Sequence, residues 1–324
     1  MVHTDPDIFV QGILSGNRRM IAKTITLIES SLKEHQQAAF KVMEKILPRT
    51  GNSIRIGITG VPGVGKSTFI ENLGVYLADQ GHKVAVLTVD PSSRRSGGSI
   101  LGDKTRMEKL STHENAFIRP SPAGETLGGV AAKTREIMLV CEAAAFDVIL
   151  VETVGVGQSE TSVASMVDFF LVLMIAGAGD ELQGIKKGVL EMADGIAINK
   201  ADGNNLHAVE KAKTDLETAL HFIRPETPTW SPIVLTCSSV VEGGTKKVWD
   251  MVLSHHQKFK ASGEFLLRRK HQSLEWMWTL VEEGLRKRFQ DNKKITEKIP
   301  GISQQVENDK ISPSAAADKL LSYL

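Results

Sequence analysis

Cysteine is almost missing from this chain, with two among 324 residues. Cys141 and Cys237 stand apart in apolar or strand-like surroundings with no C-x-x-C pair, so neither a disulfide nor a cysteine metal site is expected. Both read as small core residues. Net charge is nearly missing too: 39 Lys and Arg against 38 Asp and Glu leave a formal +1. That balance gives no electrostatic basis for a polyanionic partner, so nucleic acid is not expected. Hydrophobic runs are short or broken by glycine and charge, which argues against a membrane-inserted helix. The amino terminus shows no apolar targeting core, and the expected location is cytoplasmic. What is present, 41% hydrophobic and 24% charged residues, suits a globular chain long enough for a substantial core.

One stretch organises the chemistry. Residues Gly57 to Thr68 read GITGVPGVGKST, with Gly60, four residues, then Gly65-Lys66-Ser67. The apolar run Ser53 to Thr59 before it predicts a strand, and Phe69 to Ala78 after it predicts a helix, which is the setting a phosphate-binding loop requires. In such a loop the backbone from Gly60 through Val61, Pro62, Gly63, Val64 and Gly65 to Thr68 curls around an anion, Lys66 adds a point charge, and the Ser67 hydroxyl holds Mg²⁺.

Apolar runs alternate with helical patterns from there to about residue 250. Strands are expected at Lys83 to Val89, Ala116 to Arg119, Asp147 to Val151, Phe169 to Ile175, Gly195 to Asn199 and Ile233 to Thr236. Several hardly alternate, as strands buried on both faces do not. The expected fold is therefore α/β, a P-loop NTPase with a mostly parallel sheet whose strand ends carry the ligand loops. Residues 1–52 read as a helical extension of two helices, one through Ile21, Ile25, Ile28 and Leu32 and one through Ala39, Met43 and Ile46. Residues 53–252 form the nucleotide domain, and 253–324 a helical arm.

Three strand-end loops carry candidates. Asp90 could orient magnesium or cap the next helix; Asp103 could do the same or be a solvated charge. Glu152 ends a strand and precedes Gly155, a position from which a carboxylate can order metal-bound water and an amide can report a γ-phosphate. Val156 follows Gly155 where a water-directing glutamine would be useful, so slow intrinsic hydrolysis is expected. Asn199-Lys200-Ala201-Asp202 is a guanine-reading string. Asp202 accepts from N1 and the exocyclic amine, the Lys200 stem packs on the base, Asn199 braces the loop, and Ser238 after a later strand could offer a backbone amide to the guanine carbonyl.

GVPGVGKST, VDPSS at Val89 to Ser93, ETVGVGQSE at Glu152 to Glu160 and NKAD at Asn199 to Asp202 together make the chain resemble the MeaB/ArgK family of P-loop GTPases over nearly its whole length. The resemblance implies Mg²⁺ with GTP or GDP, and acidic metal or switch positions at Asp90, Asp103 and Glu152. It also implies a metallochaperone role toward methylmalonyl-CoA mutase or a related cobalamin enzyme, with adenosylcobalamin on that partner, and a homodimer through the arm. Ser238 stands where the family usually has alanine. Independently, Leu274, Trp278, Val281, Leu285 and Phe289 form one helical stripe that could dimerise or fold back on the nucleotide domain. His255 and His256 are expected to face solvent, and Arg268-Arg269-Lys270-His271 to be a solvated helix face or a protein contact. A transport-associated kinase and a non-hydrolysing GTP-binding scaffold stay open as alternatives.

Overall fold

A computed structural model describes residues 5–89, 107–120, 127–153, 159–177, 187–222 and 227–324. Seven strands form one parallel sheet: β1 (Ile54–Gly60), β2 (Val84–Val89), β3 (Ala116–Arg119), β4 (Val148–Thr153), β5 (Phe169–Ile175), β6 (Gly195–Asn199) and β7 (Ile233–Thr236). Their order is β3-β2-β4-β1-β5-β6-β7, every ladder being parallel. β1 is central, with Ile58 level with Glu152 of β4 and with Leu171 of β5. All seven expected strands form, because each run is apolar enough to lie in a two-sided core.

The helices are α1 (Pro6–Leu14), α2 (Arg18–Glu29), α3 (Lys33–Ile46), α4 (Lys66–Asp79), α5 (Glu108–Thr112), α6 (Leu127–Ala143), α7 (Glu160–Ala164), α8 (Lys187–Glu191), α9 (Leu206–Leu220), α10 (Lys246–Ser262), α11 (Glu264–Asp291), α12 (Lys293–Glu307) and α13 (Pro313–Leu321). On one face of the sheet, Phe69, Ile70, Leu73 and Leu77 of α4 share a core with Ile56, Ile58, Val86 and Leu150. On the other, Ile137, Met138 and Cys141 of α6 meet Leu87, Ile149 and Val151, and the amino-terminal helices complete that layer. Cys141 and Cys237 are buried free thiols, each pushed up to about 12 by burial.

The amino-terminal extension has three helices rather than two. α1 is an added nine-residue helix whose Asp5 cap accepts from the Asp7 amide. α2 stops at Glu29 because Ser30 is extended (ψ 140), which leaves Leu32 outside the predicted stripe and 61% exposed.

The larger departure lies at the amino-terminal edge of the sheet. Asp147, Asp168 and Asp194 each immediately precede a strand and accept an amide in or just before a neighbouring strand: Lys83, before β2, at 2.7 Å, Arg55 of β1 at 2.8 Å and Phe170 of β5 at 2.8 Å. Arg268 and Arg269, expected on a solvated helix face or at a protein contact, turn into this edge. Arg269 forks onto Asp168 (2.8 and 2.7 Å), Arg268 onto Asp194 (both 3.2 Å), and Arg55 onto Glu142 (both 2.9 Å). Burial alone would raise the Glu142 and Asp168 carboxyls; the arginines reverse that and hold both below the ordinary carboxylate range. Asp194 stays raised because burial outweighs Arg268.

His255 also overturns its expectation. It is 2% exposed, stacked on Phe259 at 4.0 Å and edge-on to Phe169 and Trp230. Burial, then the charge of Arg268, pushes its pKa down to about 3. The imidazole is neutral, and its 3.6 Å approach to Asp194 is too long for a hydrogen bond. His256 is half-buried against Phe265. Their neighbours are aromatic because α10 lays this face on the sheet edge.

The chain divides into two compact units, Met1–Arg269 and Lys270–Leu324. Within the second, α12 and α13 bury Ile295, Ile302 and Ala316. Leu274, Trp278, Val281 and Leu285 of α11 are exposed, at 56%, 60%, 41% and 49%. Among the described residues no helix is long and apolar enough to cross a membrane.

Candidate functional site

The carboxyl end of β1 enters the Gly60–Thr68 loop. Gly60 has φ +151, and a Cβ there would lie 2.4 Å from the Leu173 carbonyl oxygen, so only glycine fits between β1 and β5. Gly65, at φ +95, hands the chain into α4; a Cβ on it would be 2.9 Å from Asn199 Nδ2. Pro62, Gly63 and Thr68 are exposed, Val61 is half-buried, and Val64 anchors the loop in the core.

Lys66 points back across the loop, its Nζ donating to the Gly60 carbonyl at 2.8 Å and the Val61 carbonyl at 3.3 Å. Burial lowers its pKa, while Glu152 and Glu160 pull in the other direction. An ammonium held this way gains from an approaching anion. Ser67 Oγ donates to Glu152 Oε1 at 3.1 Å, joining α4 to the end of β4. Those two oxygens are hard donors at one point, a set that suits Mg²⁺. Thr153, next to Glu152, donates to Thr59 Oγ1 at 2.7 Å in the core. Asp90, Asp103 and Gly155 lie outside the described residues.

The Asn199–Asp202 string closes on the same loop. Asn199 Nδ2 donates to the Val64 carbonyl at 2.8 Å, and Lys200 Nζ to the Gly63 carbonyl at 3.0 Å. Lys200 itself has φ +60, a strained conformation for a residue with a side chain. Beside them, the Ser238 hydroxyl donates to Asp202 Oδ2 at 2.5 Å. Ser239 was not singled out from sequence. Its amide (3.1 Å) and hydroxyl (2.7 Å) both donate to Asn199 Oδ1, so it fixes the side chain that fixes the loop. A second hydroxyl residue after the β7 strand was the available signal.

Comparison with known proteins agrees with this geometry. The model of the family "Methylmalonyl Co-A mutase-associated GTPase MeaB" matches residues 21–294. The Escherichia coli protein GTPase ArgK is 45% identical over 97% of this chain and 95% of its own. A Mus musculus protein described as methylmalonic aciduria type A homolog, mitochondrial, is 42% identical over 96% of this chain and 77% of its own. A crystal structure titled LAO/AO transport system kinase superposes with a TM-score of 0.79 at 38% identity, covering 100% of this chain and 98% of that one. Sequence motif, sheet order and site geometry thus converge, and the chain belongs to the MeaB family of P-loop GTPases, enzymes that hydrolyse GTP.

Proposed function

We propose that this GTPase is a chaperone for a cobalamin-dependent acyl-CoA mutase, methylmalonyl-CoA mutase or a close relative, and that its nucleotide state gates loading, protection or reactivation of adenosylcobalamin on that partner. The observation that carries the reading is the family match across residues 21–294, on a chain whose two nucleotide loops are joined through Asn199 and Lys200.

Within the site, Lys66 takes the β- and γ-phosphates, the loop amides cradle them, and Asp202 reads guanine while Ser238 sets its carboxylate. Ser67 and Glu152, with Asp90 and Asp103, would hold Mg²⁺, which when bound neutralises charge on the phosphate oxygens. Gly155 would report the γ-phosphate to a partner surface. The exposed stripe of α11 would join two copies into a homodimer.

The test is an unbiased pull-down in GDP and in a non-hydrolysable GTP analogue, followed by cofactor-transfer measurements on any mutase recovered. Coupling requires that the two nucleotide states bind the mutase with different affinity. Equal recovery in both states, or recovery of a transporter component carrying transferred phosphate, would overturn it; the second outcome matches the kinase title of the superposed structure.

A further inference from the structure

GTP hydrolysis needs a group that orients the attacking water, and Val156 occupies the position after Gly155 where an amide side chain would serve. Glu152 is engaged on the Ser67 side of the site. A second carboxylate, Glu160, also acts on the phosphate lysine: against the burial that lowers the Lys66 pKa, the charges of Glu152 and then Glu160 raise it.

Its position follows from the helix that carries it. β4 ends at Thr153 and β5 begins at Phe169, so α7 starts at the carboxyl edge of the sheet and runs toward the amino edge. Val163 of α7 rests on Gly57 of β1, where a Cβ would meet its Cγ1 at 2.8 Å. One turn earlier, about 5.4 Å back toward the carboxyl edge, come Ser159 and Glu160. Two residues along β1 cover about 6.6 Å, which brings that turn level with Thr59, beside the Gly60 carbonyl that Lys66 touches. Glu160 is 4% exposed and Ser159 fully buried. The Ser159 hydroxyl has no hydrogen-bond partner. A buried hydroxyl with its bonds unmade, next to a buried carboxylate at the phosphate lysine, fits a site that holds a polar ligand such as water.

We propose that Glu160 is a catalytic residue of GTP hydrolysis: its carboxylate orients the attacking water and accepts its proton, and the Ser159 hydroxyl gives that water a second hold. The water oxygen bonds to Pγ as the bridging Pγ–O bond breaks; the bond pair leaves on GDP, and the proton passes from Glu160 to the released phosphate. Glu152 keeps the metal side, so the two acidic residues of the ETVGVGQSE stretch divide the work.

The experiment is single-turnover hydrolysis alongside calorimetric binding of GDP and of a non-hydrolysable GTP analogue, on the full chain. E160Q should slow hydrolysis about 100-fold and leave both affinities within about three-fold. E160D, which keeps the carboxylate but shortens its reach, should keep part of the rate that E160Q loses, with both affinities unchanged. S159A should lose roughly ten-fold in rate with affinity unchanged. Unchanged turnover in E160Q, or a rate loss matched by an equal loss of nucleotide affinity, would overturn the proposal; the second result would make Glu160 a support for Lys66. If E160Q does not fold, E160D and S159A decide through the same two readouts.

Discussion

A carboxylate selects guanine only if it is held where both of its oxygens can be used, and Ser238 supplies that hold for Asp202 at 2.5 Å. Asp202→Ala should weaken GTP and GDP binding by about 1.5 to 3 kcal/mol for each charged hydrogen bond lost, with ATP binding unaffected. Ser238→Ala removes only the orienting bond and should cost about 1 kcal/mol, roughly five-fold in Kd for GDP. Calorimetry with GTP, GDP and ATP checks both. Equal affinity of the unaltered protein for ATP and GTP would sink the assignment of Asp202, and wild-type GDP affinity in Ser238→Ala would show that its hydroxyl does not set the carboxylate. Asn199 works differently, since its amide spans Val64 and Ser239 and never needs to touch the base. The bracing role itself was legible in the string NKAD, but its partner was not, because Ser239 lies 40 residues away in sequence.

Elements differ in how openly they announce themselves. The strands were legible because a parallel sheet buries both faces, and a run such as Phe169–Ile175 has no other stable use. The P-loop was legible because its glycines, lysine and serine are contiguous. The arginines of α11 were not, since Arg268 and Arg269 among lysines and glutamates look like a solvated face, and their partners Asp194 and Asp168 lie 74 and 101 residues away. An aspartate immediately before three successive apolar strands was the overlooked cue. The ionic edge also sets how stability depends on pH. His255 falls from 6.5 to about 3 in the fold, so its contribution is fully present above pH 6.5 and lost as pH falls toward 3. Glu142 and Asp168, held low, lose theirs in the same direction below the ordinary carboxylate range; Asp194, held high, acts oppositely. Arg268, Asp168, His256 and Glu264 are the charges acting on His255, and they are retained in His255→Phe. Urea unfolding at pH 7 and pH 5 should show that variant losing about 2 kcal/mol less than the unaltered protein over that interval. Identical losses would mean His255 is not held neutral.

For the molecule as a whole, the question is where the nucleotide-binding body ends and the arm begins. Arg268 and Arg269 belong to the first compact unit, Met1–Arg269, and neutralise buried Asp194 and Asp168 there. Breaking one such pair leaves a buried charge uncompensated, at a cost of about 3 to 5 kcal/mol. A chain ended after Ser262 should therefore melt well below the intact protein and bind GTP poorly. A chain ended after Arg269 keeps both ion pairs and should stay folded and GTP-competent. It also lacks Leu274, Trp278, Val281 and Leu285, whose 4-3-4 spacing makes a seam along one side of α11. Sealing what they leave exposed against a second copy would yield on the order of 1 kcal/mol or more each. Light scattering, GTP titration and melting on the same three samples separate the cases. The expected pattern is an intact dimer, a stable GTP-binding monomer ending at Arg269, and an unstable chain ending at Ser262. A stable dimer in the Arg269 truncation would move the interface off α11. If that truncation instead unfolded, the apolar seam would be completing the nucleotide domain and not joining two copies.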